Sequence, residues 1–298
     1  MEKIILDTDI GSDIDDAVCL AYLLAEKECD LLGIITVHAD TYVRAKLASV
    51  LVKQSDKEIP IFCGLKNPLL GPNPPKTINQ EPGLDGLEYD SEFCGMEWIE
   101  FVKNKIYENP NEITLLAIGP LTNVAILFTL YPETAKLLKR LVIMGGRFFD
   151  GLPERFHAEY NIRCDYAAAD IVYKAEVPLI ESIGLDSTLK VIMNRQDVKK
   201  EFSKHDLLKP VLQFAAPWFE ETKLEEMIFH DPLTAVYIFH PDVVEMHRGD
   251  VKIEVQSDIR PGRTIFHNNE EGSQLVSREV DVDKFFAYYF NVFDKEEL

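Results

Sequence analysis

The chain is short of positive charge, of cysteine and of long apolar runs, and each shortage removes a class of function. Its 31 Lys and Arg stand against 51 Asp and Glu, a formal net charge of −20. The resulting field repels phosphate backbones and anionic membrane surfaces, so nucleic-acid polymers and membranes are poor partners and a small neutral or cationic ligand is expected. No apolar run reaches the length of a membrane span. Met1-Glu2-Lys3 leads straight into the first apolar run, which leaves no room for a signal peptide and predicts a cytoplasmic protein. Cys19, Cys29, Cys63, Cys94 and Cys164 include no C-x-x-C pair, so reduced packing thiols are expected rather than a zinc site or a disulfide framework. Repeats, low-complexity tracts and linkers are also missing, and a single domain over 1–298 is expected.

What the chain does hold is ample apolar material, 46% of residues, cut into short runs. Runs at 3–6, 31–37, 59–62, 113–118, 141–144 and 177–183 read as strands, and amphipathic stretches at 17–26, 43–53, 97–107, 123–131 and 166–175 read as helices. Such alternation predicts an α/β fold: an open, mainly parallel sheet flanked by helices, with a Rossmann-like core. Beyond Asn194 the pattern changes to long helices, then to a pair of runs at 251–256 and 263–266 suited to a small antiparallel extension, and a last helix over 282–293. The loop 67–89, rich in Pro and Gly, is long for a compact domain and is a candidate active-site lid.

The first strand ends in Asp7-Thr8-Asp9-Ile10-Gly11-Ser12-Asp13-Ile14-Asp15-Asp16, five aspartates around one glycine. Carboxylates this close raise one another's pKa and need a compensating cation or donors, so a bound divalent cation is the first hypothesis. Capping of the following helix is the plain alternative, but a cap needs one carboxylate. An EF-hand does not fit: with Asp7 as first ligand, Ser12 falls where Gly belongs and Val18 where the bidentate Glu belongs. An aspartyl-phosphatase also ends a strand in D-x-D, but it calls for basic loop residues that this chain mostly lacks.

His230-Asp231-Pro232 reads as an Asp cap with Pro in the first turn, or as a further metal carboxylate beside a titratable acid. Glu159 and Asn161 would point the same way from an extended segment, an acceptor and an amide suited to sugar hydroxyls, just before Asp165 as cap of the helix at 166. In Gly119-Pro120-Leu121-Thr122-Asn123, Thr122 is the expected cap. His38 has no assigned role. Trp218, Phe219, Phe148, Phe149 and Phe156 are candidates either for stacking on a base or for the core.

Taken in order, these pieces, with Met144-Gly145-Gly146 and Gly184-Leu185-Asp186, make the stretch from Lys3 to about His240 resemble the inosine-uridine preferring nucleoside hydrolases. The resemblance implies that family's fold, a calcium ion, and hydrolysis of the N-glycosidic bond of ribonucleosides in a salvage role, by a homo-oligomer (dimer or tetramer). By position it makes Asp9, Asp16 and Asp231 the calcium carboxylates and the main-chain carbonyl of Ile118 a further ligand. Asp15 matches the ribose-binding acid, Asp7 its neighbour behind the metal, Glu159 and Asn161 the hydroxyl contacts, and His230 the proton donor to a purine leaving group. Asp9 is the candidate general base, since anionic groups and a metal beside the ring stabilise an oxocarbenium-like sugar.

The chain departs from the family pattern in three places. Ser12-Asp13-Ile14 lengthens the aspartate loop by two residues, Asp40 stands where many members carry a sugar-contacting Asn, and Pro82 replaces a frequent His. A non-catalytic nucleoside or ribose sensor that kept the metal pocket is the alternative function, with an aspartate-based phosphatase behind it.

Overall fold

The apolar runs form strands because each is short, rich in Ile, Leu and Val, and bounded by polar turns. In the computed structural model, which describes residues 1–93, 95–257 and 261–294, β1 (Glu2–Thr8) leads to α1 (Asp15–Ala25), β2 (Cys29–Thr36), α2 (Thr41–Gln54) and β3 (Ile61–Cys63). Next come α3 (Glu97–Glu108), β4 (Ile113–Ala117), α4 (Thr122–Leu130), α5 (Pro132–Leu137) and β5 (Arg140–Met144). They are followed by α6 (Tyr160–Cys164), α7 (Tyr166–Tyr173), β6 (Ile180–Ile183), α8 (Leu185–Thr188), β7 (Ile192–Asn194) and α9 (Arg195–Phe202). The remainder is α10 (Lys209–Thr222), β8 (Glu226–Ile228), α11 (His230–Phe239), β9 (Val244–Ile253), β10 (Thr264–Asn268), β11 (Gln274–Val280) and α12 (Val282–Asn291).

Among the described residues nine strands make one sheet in the order β10-β9-β11-β6-β5-β4-β1-β2-β3, parallel from β3 through β11, with β9 and β10 antiparallel at the edge. β7 and β8 pair as a separate antiparallel ribbon. The expected α/β sheet with its antiparallel extension is therefore present, but β9 begins earlier than the predicted run at 251. The sequence reading also missed β11, which slots between β6 and β9. Its residues Gln274, Ser277, Arg278 and Glu279 mask the apolar signal of a sheet strand.

Alternation along β1 divides the core. Ile4 and Leu6 face the layer that holds α1, α2 and α11, while Ile5 faces the layer of α3, α4 and α7. Because both faces are covered, central strands read as unbroken apolar runs, and β4 is buried throughout. Almost every residue of α1 is buried too, because α11 packs against it. Cys19, Cys29 and Cys164 are buried and Cys63 is half-buried among these layers; Cys94 lies outside the described residues.

The strand order reverses between β1 and β4, and the crevice outside their carboxyl ends is where such sheets bind ligands. Three backbone features shape that crevice. Gly11 has φ +112, and a Cβ there would lie 2.5 Å from Ile78 and 2.7 Å from Leu47. Gly119 sits so close to the start of the aspartate loop that a Cβ would lie 2.9 Å from the Asp9 nitrogen. The loop 67–89, the candidate lid, reaches the cavity wall with Asn79 and is anchored on both sides: Gln80 is buried and donates from Nε2 to the Asp13 carbonyl, and the Leu69 and Leu70 amides donate to Asp165.

Candidate active site

Two helix N-termini converge on the crevice, and both carry acids there. Asp15 and Asp16 open α1, and Asp231 lies in the first turn of α11. Neither helix has a side-chain cap; the residues at the cap positions are Ile14 and Phe229. The expected Asp cap at Asp231 is therefore absent, and these carboxylates are left free to face one another. Oxygens of Asp15, Asp16 and Asp231 all lie within 4.8 Å of one another, and all three residues are buried. The Asp231 amide donates to Asp15 Oδ2 (3.1 Å), and Thr8 Oγ1 donates to Asp16 Oδ1 (2.5 Å). Burial, then the neighbouring carboxylates, push all three pKa values well above the usual range. An all-oxygen set held this close fits a hard divalent cation, whose charge would reverse that shift.

Asp9 stands beside this triad on the cavity wall and is held by a residue that sequence reading missed. Arg44, fully buried in the first turn of α2, places Nη2 3.7 Å from Asp9 Oδ2. Burial drives the Asp9 carboxyl up in pKa and Arg44 draws it back. Behind it, Asp7 accepts from Asn123 Nδ2 (2.6 Å), its Oδ1 has no partner, and burial raises its pKa to about 8. Asp13, in the lengthened loop, is exposed on the cavity wall with Oδ1 accepting from the Ile14 amide (2.7 Å).

The cavity above these groups has a volume of about 600 Å³, and Glu159 and Asn161 form part of its wall. They reach it from a helix start rather than from the expected extended segment. Glu159 is the N-cap of α6 and accepts from the amides of Asn161 (2.8 Å), Ile162 (3.0 Å) and Gly146 (3.3 Å). Burial raises its pKa to about 7. Asn161 Nδ2 donates to the carbonyls of Ile118 (2.9 Å) and Met144 (3.2 Å), which leaves its Oδ1 for a ligand. Ile118 also lines the cavity, and its carbonyl keeps a second lone pair.

His230 lines the same cavity, its Nδ1 2.7 Å from Thr188 Oγ1. Burial lowers its pKa to about 4, so the ring is neutral at pH 7 and not the charged proton donor that the resemblance implies. Asp40 is not brought to the site. It caps α2 through the Tyr42 and Val43 amides and does not line the cavity. Asp165 is the cap expected for α7, whereas Thr122 is the first residue of α4 and donates from its hydroxyl to Asp165 (2.7 Å). Of the aromatic candidates, Phe156 and Trp218 line the cavity, while Phe148, Phe149 and Phe219 do not.

Comparison with known proteins decides what this constellation belongs to. Residues 4–287 match the profile of the inosine-uridine preferring nucleoside hydrolases. The chain belongs to that family. It is an enzyme of the nucleoside hydrolase class, and the family is metal-dependent. A probable uridine nucleosidase of Oryza sativa subsp. japonica is 30% identical over 278 residues, 89% of this chain and 84% of that protein. A non-specific ribonucleoside hydrolase of Salmonella enteritidis is 28% identical, with 97% of each chain covered. The fold matches a purine-preferring ribonucleoside hydrolase from Gardnerella vaginalis with a TM-score of 0.84 at 22% identity over 98% of each chain. No helix among the described residues is long and apolar enough to cross a membrane.

Proposed function

We propose that this chain, as one domain over 1–298, is a calcium-dependent ribonucleoside N-ribohydrolase that releases free base and ribose from purine and pyrimidine nucleosides for salvage in the cytoplasm. The observation that carries the reading is the buried triad Asp15, Asp16 and Asp231 on the wall of a cavity that also holds Glu159 and Asn161. By the family resemblance Asp9, Asp16, Asp231 and the Ile118 carbonyl would hold the ion, with Asp15, which completes the buried triad, beside it; the ion's charge would orient the sugar diol and favour ionisation of water. Asp15, Glu159 and Asn161 Oδ1 accept the ribose hydroxyls and fix the ring against the carboxylates. Asp9, next to the water that attacks the anomeric carbon, takes its proton, while the surrounding anions stabilise the positive charge that develops on the sugar. His230 is neutral and assists the leaving base as a hydrogen-bond donor. Trp218 and Phe156 supply the apolar face for that base.

Incubating the calcium-loaded protein with inosine and with uridine, and measuring free base and reducing sugar, tests the reading. Absence of product from every common ribonucleoside overturns it, and heat of binding without product favours the sensor instead. Asp9→Asn should lower turnover by about 10²–10⁴-fold with the fold intact, and retained turnover removes Asp9 as the base. Light scattering reads the dimer or tetramer that the resemblance implies.

A further inference from the structure

The aspartate loop poses a charge problem in the absence of a metal, and one side chain answers it. Asp7, Asp9, Asp15, Asp16 and Asp231 are all buried, and among the described residues Arg44 is the cation paired with the cluster. Its guanidinium spends every face of its fork on two loops. Nη1 donates to the carbonyls of Asp9 and Ile10, the latter at 2.8 Å, and Nη2 donates to Ser12 Oγ at 2.8 Å. Nε donates to the His38 carbonyl at 2.6 Å. That carbonyl is presented by two consecutive left-handed residues, His38 at φ 67 and Ala39 at φ 58. Backbone in that region is uncommon for side chains of this kind and persists where its surroundings hold it.

Ser12 belongs to the aspartate loop, in the stretch Ser12-Asp13-Ile14 by which the resemblance makes this loop two residues longer than the family pattern. The lengthened loop, the left-handed turn after β2 and the buried arginine therefore form one assembly. We propose that Arg44 is an internal counter-ion and positioning residue, which clamps the lengthened aspartate loop to the turn after β2 and holds the carboxylates assembled before any metal binds. A planar fork can satisfy this set of acceptors at once, whereas a lysine ammonium matches the charge but not the geometry. Arg44 and the cation share the task of neutralising the cluster, so losing one makes the protein depend more on the other. The inference rests on reading the cluster as a metal site.

Melting curves of the full chain, stripped with chelator and then reloaded with calcium chloride, test it for wild type and Arg44→Gln. The metal-free variant should melt about 5 °C or more below metal-free wild type, and saturating calcium should close most of that gap. An equal deficit with and without calcium shows a packing role only and overturns the proposal, as does no deficit. Calcium that shifts neither protein sinks the metal reading and the proposal together. If Arg44→Gln cannot be recovered without metal, Arg44→Lys is measured by hydrogen exchange: amides over 10–14 should exchange about tenfold faster than in metal-free wild type and slow again with calcium. Unchanged exchange overturns the clamp.

Discussion

The main-chain amide of Asp231 donates to Asp15 Oδ2 across 3.1 Å, joining two helix starts that lie 216 residues apart in the chain. Each helix brings its positive end to the shared cluster, which lowers the cost of burying acids there but does not remove it. A residual cost of this kind is relieved by a cation. Chelator should therefore lower the melting temperature of the wild-type protein, and calcium should restore it in proportion to the logarithm of its concentration. Asp231→Asn should weaken calcium binding by about 10²-fold or more, read by titration calorimetry. Unaltered calcium affinity would place the ion elsewhere.

His230 should matter according to how much help the leaving base needs. His230→Ala is expected to lower kcat/KM for inosine by about 10²-fold, yet to leave a nitrophenyl riboside, whose leaving group departs unaided, nearly unaffected. Equal losses on both substrates would show that the ring acts through its contact with Thr188 and not on the base.

Glu159 ties stability to pH. Its folded-state pKa of about 7 lies above the ordinary value of 4.5 because burial disfavours the charged form. The native state thus holds this proton more tightly than the unfolded one. Its penalty is absent below pH 4.5, grows as the pH rises to about 7, and is complete above that. In metal-free protein, urea unfolding at pH 4.5 and pH 8 should show wild type losing about 3 kcal/mol more than Glu159→Gln over this range. The same pH dependence in both proteins would assign the cost to other carboxylates.

The strands that carry the site were legible because a buried parallel strand must be an apolar run, and the polar residues after it then stand out as its loop. Asp9 and Asp16 were legible on that basis as members of an acid cluster, whereas β8 before Asp231 was not read as a strand and Asp231 stood out only through its place in His230-Asp231-Pro232 and the resemblance; Asp165 was legible as a cap. Asp40 was misread because an aspartate after a strand looks the same in sequence whether it meets a ligand or caps a helix. Glu159 and Asn161 do share the cavity wall, but through a different geometry from the one read, since the N-cap and the first turn of a short helix bring side chains together as an extended segment does. Arg44 gave no local signal: within α2 it reads as one more charge on an amphipathic helix, and only tertiary packing puts it under the aspartate loop. The unanswered charge of that loop was the one clue that an internal cation should be sought.

The aromatic residues divide into two groups that kinetics can separate. Trp218 and Phe156 line the cavity, whereas Phe149 packs against His247 and Phe266, with ring centroids 5.4 and 5.6 Å away. A base stacked on Trp218 gains contact in both the ground state and the transition state, so losing the ring should act on binding more than on turnover. Trp218→Ala is therefore expected to raise KM for nucleosides about tenfold with a smaller change in kcat. Phe149→Ala should instead lower the melting temperature and leave KM unchanged, because the ring has no face on the cavity. Should Phe149→Ala raise KM and Trp218→Ala leave it alone, the base lies on the other side of the sugar, toward β10, and the orientation proposed for the nucleoside is reversed.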